Sequence, residues 1–141
     1  MPPADRLRLE HMLAAARDAV HSLHGKTRPD LELRYDFTLA LVKRIEMMGE
    51  AASRVGPATR QRFPEMPWQD IVDSRHRLIH GYAEINLTVV WTIATGDLPH
   101  LISSLERALQ ALPRSQRFRW RCAARVWEDR TRRHGQTSFP G

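Results

Sequence analysis

Apolar residues recur along the first half of this chain at helical steps. Between Ala4 and about Leu23 they are Leu9, Met12, Leu13, Ala16, Ala19, Val20 and Leu23, spaced by three and four, and Gly25 is a natural stop. After the turn-prone run Gly25-Lys26-Thr27-Arg28-Pro29-Asp30, the stripe Phe37, Leu41, Ile45, Met48 and Ala52 predicts a second helix from about Leu31 to Arg54, ended by Gly56-Pro57. Pro57 to Met66 has room for one or two helical turns, and Pro67 suits the first position of the next helix, where its missing amide is not needed. That helix carries Trp68, Ile71, Val72, Leu78 and Ile79 and is expected to end near Gly81. Asn86 is the predicted N-cap of a helix with Val89, Val90 and Ile93 inside. Gly96-Asp97-Leu98-Pro99 then punctuates the chain before a last run through Ile102, Leu105, Leu109 and Leu112. Sustained period-2 alternation at strand length does not occur before residue 113. The expected fold is all-α: an antiparallel helical bundle with a long early hairpin as its frame, over residues 1–112.

At 141 residues the chain has the size of one domain, and folding at this length removes about two-thirds of the surface that the unfolded chain exposes, enough for a core without disulfides or a structural metal. One cysteine, Cys122, allows no internal disulfide. The start carries no apolar stretch of signal-peptide type, and no window approaches the ~20 apolar residues of a membrane helix, so a cytoplasmic protein without a membrane partner is expected.

Charge divides the chain. Residues 1–112 hold 12 Arg and 2 Lys against 14 acids, whereas residues 113–141 hold 8 Arg against Glu128 and Asp129 alone, so the net charge of +6 lies in the last 29 residues. This basic C-terminal extension reads equally as a phosphate-binding arm or a solvated tail. Phe118, Trp120 and Cys122 alternate with Arg as a strand would, yet Trp120, Ala123, Ala124 and Trp127 also fit one helical face. Residues 132–141 are expected to be disordered. As a polyanion-binding arm, the extension offers Arg117, Arg119, Arg121 and Arg125 to phosphates and Trp120 as a stacking surface.

Seven histidines invite a metal reading, but His21 and His24 stand three apart without a Glu-x-x-His or His-Glu-x-x-His anywhere, and no metal or other cofactor is expected. A Gly-rich phosphate loop, a Gly-x-Ser-x-Gly elbow and an Asp-rich calcium loop are likewise missing from the sequence, which leaves His, Arg, Tyr and carboxylates as the candidate chemistry. The densest cluster is Arg75-His76-Arg77-Leu78-Ile79-His80-Gly81-Tyr82. Its plain reading is a helix end, with cations favouring the dipole, Leu78 and Ile79 inside and Tyr82 as an anchor. At ~100° per residue, Arg75 and Tyr82 would nearly eclipse two turns apart, while His80 would lie ~140° from Arg75. Arg75 and His80 can then act on one atom only if the helix distorts near Gly81 or a second copy of the chain supplies the complementary group.

Arg75-x4-His80-Gly81-Tyr82 resembles the Arg-x4-His-x-Tyr signature of HepT-like toxins of the HEPN superfamily. Met48-Gly49-Glu50-Ala51 is similar to that family's Gly-Glu-Ala element, Pro67-Trp68 to its helix opener, and Val90-Trp91 with Asp97-Leu98-Pro99 to its closing segment, so the resemblance covers about residues 5–112. Two features depart from the pattern: His76 stands where members usually carry Asn, and residues 113–141 have no counterpart. The resemblance implies a HEPN-type bundle acting as the toxin of a toxin–antitoxin pair. The implied activity is metal-independent endoribonuclease cleavage by a homodimer, with Arg75 and His80 catalytic and His76, Arg77 and Glu50 in support. It further implies a cognate minimal-type (MNT) nucleotidyltransferase as antitoxin, transferring AMP to Tyr82, and RNA rather than DNA as substrate. A non-catalytic helical module that binds the nucleotidyltransferase or a nucleotide is the alternative, and a plain RNA-binding bundle a third reading.

Overall fold

The computed structural model describes residues 3–80 and 84–111, and these form an all-α bundle. Its first helix, α1 (Pro3–Ser22), buries Leu9, Met12, Leu13, Ala16 and Ala19, the predicted stripe, and the chain turns away at Gly25 with φ +72°, a left-handed conformation that glycine adopts without steric cost. Asp30 closes the following turn by accepting from the Thr27 amide at 2.6 Å and from its hydroxyl at 3.1 Å.

The expected helix from Leu31 to Arg54 is two helices. A single turn, α2 (Asp30–Leu33), is separated from α3 (Tyr35–Ser53) by Arg34, whose φ −123° and ψ 82° leave the helical region. Tertiary contacts make this break. Leu31 is fully buried, and the buried Thr38 hydroxyl donates to the Leu31 carbonyl at 2.7 Å, satisfying an oxygen that the interrupted helix leaves over. In α3 the stripe Leu41, Ile45, Met48 and Ala52 is buried as expected, with Phe37 half-buried against it.

Gly56 precedes α4 (Pro57–Arg62), which places Pro57 at the start of the helix. Arg60 then caps α3 from outside, donating from Nη2 to the Ala52 carbonyl at 2.9 Å and from Nε to the Val55 carbonyl at 3.1 Å. Pro67 stands just outside α5 (Trp68–Leu78) rather than at its first position, and the Trp68 indole nitrogen donates back to the Phe63 carbonyl at 3.0 Å. Asp5, in the first turn of α1, accepts from the Gly56 amide beyond the end of α3, so α1 and α3 run antiparallel, as the predicted hairpin requires. Helix α1 also packs on α7, and α3 on α5.

Helix α5 stops at Leu78, earlier than the expected Gly81. Ile79 turns extended (φ −109°, ψ 119°), and β1 (Ile79–His80) pairs antiparallel with β2 (Glu84–Ile85), Ile79 opposite Ile85 and His80 opposite Glu84. The Asn86 amide completes the closure by donating to the Leu78 carbonyl at 2.8 Å. Asn86 is the N-cap it was expected to be, its side chain accepting from the Val89 amide at 3.2 Å. Beyond it α6 (Leu87–Thr92), a π-helical turn (Ile93–Asp97) and α7 (Leu98–Gln110) follow without interruption. The Gly96-to-Pro99 run therefore widens a helix rather than ending it. The Leu98 amide reaches back to the Ile93 carbonyl, and the wider turn accommodates Pro99, which has no amide and whose ring would crowd the Thr95 carbonyl in a regular α-turn.

Leu9, Met12, Leu41, Ile45, Leu78, Val90 and Leu105 form the innermost core. Each leucine or isoleucine so buried contributes roughly 1.5–3 kcal/mol. Leu98, Leu101 and Ala108 share that core beside the predicted Leu105, with Ile102 and Leu109 half-buried; Leu112 lies outside the described residues. Among the described residues no helix is long and apolar enough to cross a membrane.

Candidate active site

Arg75 and Glu50 meet where α5 crosses α3. Gly49 allows the approach: a Cβ at that position would stand 3.1 Å from the Ile71 carbonyl oxygen and 3.7 Å from the Ser74 hydroxyl. With the two backbones this close, Arg75 Nη1 donates to Glu50 Oε2 at 2.6 Å. The other carboxylate oxygen, Oε1, lies 2.9 Å from both Nε and Nη2 of Arg54, one turn further along α3. Hydrogen bonding and charge from Arg54, then from Arg75, outweigh partial desolvation and hold the Glu50 carboxyl below the usual carboxylate range. Glu50 is thus a carboxylate gripped between two guanidinium groups, and the Arg75 side chain stays about half exposed.

This trio borders a groove of about 1100 Å³ between α1 and α3, closed at one end by the last turn of α5. Each helix contributes a second stripe beside its core stripe: Leu7, His11 and Ala14 on α1, and Lys43, Met47, Glu50 and Arg54 on α3. Its character is mixed. Leu7, Met47 and Ile79 present apolar surface, at 38%, 55% and 40% exposure, while Arg8, Lys43, Arg44, Arg54 and Arg75 outnumber Asp18, Glu46 and Glu50.

The structure brings Arg75, His76 and Glu50 to this one groove, whereas Arg77 is exposed and is not among its lining residues. His80 belongs to β1 through its backbone; its side chain, like the whole of Tyr82, lies outside the described residues. So do Arg117, Arg119, Trp120, Arg121 and Arg125, together with the question of strand or helix around Phe118, Cys122 and Trp127. Two expectations are overturned. Ile79, expected inside, faces the groove, because the backbone becomes extended there while Leu78 remains fully buried. The angular relations among Arg75, His80 and Tyr82 also fall, since they assumed a helix continuing to Gly81, whereas the backbone leaves the helix at Ile79.

Arg54 is the site residue that sequence reasoning missed. It stands four residues after Glu50, the favourable order for a carboxylate and a cation on one helical face, so the pair itself was legible. Leu7 and Met47 were overlooked because they lie off the stripe that fills the core.

Arg75 is a fixed, half-exposed guanidinium on a cationic groove, and such a group can bind a phosphate through two oxygens. Comparison with known proteins gives a family. A family model described as "Ribonuclease HepT-like" matches residues 12–108, which include Glu50 and the Arg75-to-Tyr82 run. The chain is 28% identical over 102 residues to "Putative RNase TTE0752" of Caldanaerobacter subterraneus subsp. tengcongensis, covering 72% of this chain and 91% of that protein. It is 33% identical over 67 residues to "Putative RNase MJ1380" of Methanocaldococcus jannaschii and 29% identical over 68 to "Probable ribonuclease HepT" of Thermococcus cleftensis, in each case covering 48% of this chain and 62% of the relative. No solved structure matches.

Proposed function

The chain belongs to the ribonuclease HepT-like family, and we propose that it is a metal-independent endoribonuclease, the toxin of a toxin–antitoxin pair. The observation that carries this reading is Arg75 itself, held by Glu50 at the edge of a cationic groove five residues before His80. Arg75 would take two non-bridging oxygens of an RNA phosphate and offset the charge that grows on them in the pentavalent transition state, an electrostatic task that an arginine can perform unaided. His80 would move the proton, since an imidazole ordinarily titrates near pH 6.5. The ribose 2′-hydroxyl attacks the adjacent phosphorus and yields its proton to one imidazole; the P–O5′ bond breaks, and the leaving oxygen takes a proton from an imidazolium. The products are a 2′,3′-cyclic phosphate and a 5′-hydroxyl.

Two chains would pair as a homodimer through the α1–α3 groove, where Leu7, Met47 and Ile79 present apolar surface next to Arg75. A cognate MNT-type nucleotidyltransferase would serve as antitoxin by joining AMP from a nucleoside triphosphate to the Tyr82 phenolic oxygen, with pyrophosphate leaving. Standing two residues after His80, Tyr82 would carry that added charge and bulk at the reactive motif. The arginines of residues 113–141 would add sequence-independent affinity for RNA, and the protein would act in the cytoplasm.

Cleavage of total RNA by the purified protein, with chelator present, tests the reading. Arg75→Ala and His80→Ala are each expected to lower the rate by at least ~10²-fold, the typical loss for an oxyanion-stabilising or general acid–base group. A His80→Ala protein that cleaves as well as wild type overturns it, and a wild type that never cleaves yet binds the nucleotidyltransferase favours the non-catalytic alternative.

A further inference from the structure

We propose that Arg54 and Glu50 form a positioning clamp for Arg75, fixing its guanidinium so that its remaining donors face the phosphate; this rests on the ribonuclease reading above. The two oxygens of Glu50 are divided between two arginines. Arg54 engages Oε1 with two nitrogens, Nε and Nη2, both at 2.9 Å, and so restrains rotation of the carboxylate. Oε2 is thereby aimed at Arg75 and accepts from Nη1 at 2.6 Å. Arg75 is held by that one nitrogen: its Nε and Nη2 make no hydrogen bond to the described residues, and they form the edge that can meet two phosphate oxygens in parallel.

Stability gives a weaker reason for the trio. All three side chains are about half exposed or more, and ion pairs in such surroundings contribute little to folding. What the arrangement does supply is orientation. Unclamped, a long arginine side chain samples several rotamers, and most of them hold the charge near the phosphate but out of line with the oxygens on which the transition-state charge grows. Glu50 could instead act as a competitor, an internal anion occupying Arg75 until RNA displaces it. The grip through one nitrogen argues against that, since the Nε–Nη2 edge does not have to be vacated for a phosphate to bind.

Glu50→Gln and Arg54→Met, made in the full-length chain, separate these roles. In each, kcat on a labelled oligoribonucleotide that wild type cleaves is expected to fall by about tenfold or more while KM does not rise, because Arg75 can still bind but is misaligned for the transition state. The double variant is expected to lose no more than Glu50→Gln alone, as Arg54 acts only through Glu50, and Arg54→Lys, which keeps the charge but not the two-nitrogen grip, to be intermediate. A second readout needs no activity: the {1H}-15N NOE of the Arg75 Nε is expected to drop in Glu50→Gln and in Arg54→Met, at an unchanged thermal midpoint. An unchanged NOE, or a kcat that stays level or rises in Glu50→Gln while Arg75→Ala is inactive, overturns the clamp alone. A wild type that cleaves no RNA overturns the ribonuclease reading, and the clamp's catalytic purpose with it.

Discussion

The backbone of Gly49 lies against the carbonyl oxygen of Ile71 so closely that any side chain at residue 49 would press α5 away from α3. Ile71 is one helical turn before Arg75, so this contact sets how far the Arg75 guanidinium stands from Glu50. Gly49→Ala opposes two effects: alanine favours the helix over glycine by about 1 kcal/mol, and overpacking at 3.1 Å costs roughly 1–3 kcal/mol. Net stability is expected to fall by about 0–2 kcal/mol, and RNA cleavage to fall severalfold further than the unfolded fraction explains. Thermal melts with kinetics on the same preparation check this. A protein stabilised by the full helix-propensity gain, at wild-type activity, would show that the close approach has no bearing on the site.

Elements marked by local chemistry were legible in the sequence. Gly25 ends α1, Asn86 caps α6, and the buried stripes of α1 and α3 are the predicted ones, because a cap or a 3.6-residue period is a property of a few neighbouring residues. Features imposed from a distance were not. Arg34 interrupts the second helix because Thr38 and Leu31 hydrogen-bond within a buried layer, and α5 ends at Leu78 because the Asn86 amide takes its carbonyl. Gly81 looked like the stop signal, yet the pairing of Ile79 with Ile85 acts first. At the site, residue types were legible while partnerships were not: Arg75 and Glu50 are 25 residues apart, and only the packing of α5 on α3 joins them.

Asp5 is a buried carboxylate with a structural role. It is 2% exposed and accepts from the Thr59 hydroxyl at 2.6 Å, from Arg8 Nη1 at 2.7 Å and from the Gly56 amide at 3.2 Å, tying the start of α1 to the α3–α4 turn. Burial raises its pKa, but the hydrogen bonds from Thr59, Arg8 and Gly56 together with the Arg8 charge prevail, and the net shift is downward. A depressed carboxylate stabilises the fold fully above its unfolded-state pKa near 3.9, and that stability is lost as pH falls through the lower folded-state value. Asp5→Ala is expected to cost roughly 1–3 kcal/mol at neutral pH by leaving buried donors unpaired, and to unfold with a flatter acid limb below about pH 4. Urea melts at pH 7 and at pH 3 measure both. Equal losses at the two pH values would contradict the assignment.

AMP transfer to Tyr82 predicts a mass change. Co-expressed with a cognate nucleotidyltransferase, the chain is expected to gain the mass of one or more AMP groups, and Tyr82→Phe to remove the gain while leaving toxicity unneutralised. Intact-mass spectrometry reads the first and a growth assay the second. An unmodified Tyr82 in a fully neutralised complex would show that the partner masks the site sterically.

The arginines beyond residue 113 predict a salt effect. Since the net charge of +6 lies there, truncation after Pro113 is expected to weaken RNA binding and to flatten its dependence on salt, the slope falling by about 0.7 for each single-strand phosphate that the tail had neutralised. Cleavage by the truncated chain at saturating RNA is expected to be unchanged. Filter binding across a salt series decides it, and an identical slope would make the tail a bystander.

Pairing of two chains through the α1–α3 groove puts Met47 at the centre of the test. Met47 is the most exposed of the three apolar groove residues, and it is one helical turn from Glu50 and two from Arg54 on the same face of α3. In a two-fold interface the same patch faces itself, so a change at one residue is felt twice. Met47→Asp would remove apolar area from both halves and set like charges across the contact, whereas in a monomer an exposed substitution of this kind shifts stability by only about 0.5 kcal/mol. Light scattering is therefore expected to report a dimer for wild type and a monomer for Met47→Asp at micromolar concentration, with the helical circular dichroism and thermal midpoint of the monomer little changed. Activity is expected to fall with the dimer, because Ile79 lies in the groove between Arg75 and His80 in the chain, and a partner covering Ile79 also walls the reacting phosphate from water. A wild type that is monomeric at full activity, or a Met47→Asp protein that remains dimeric, would remove the groove as the pairing surface and leave Arg75 and His80 of a single chain to account for cleavage.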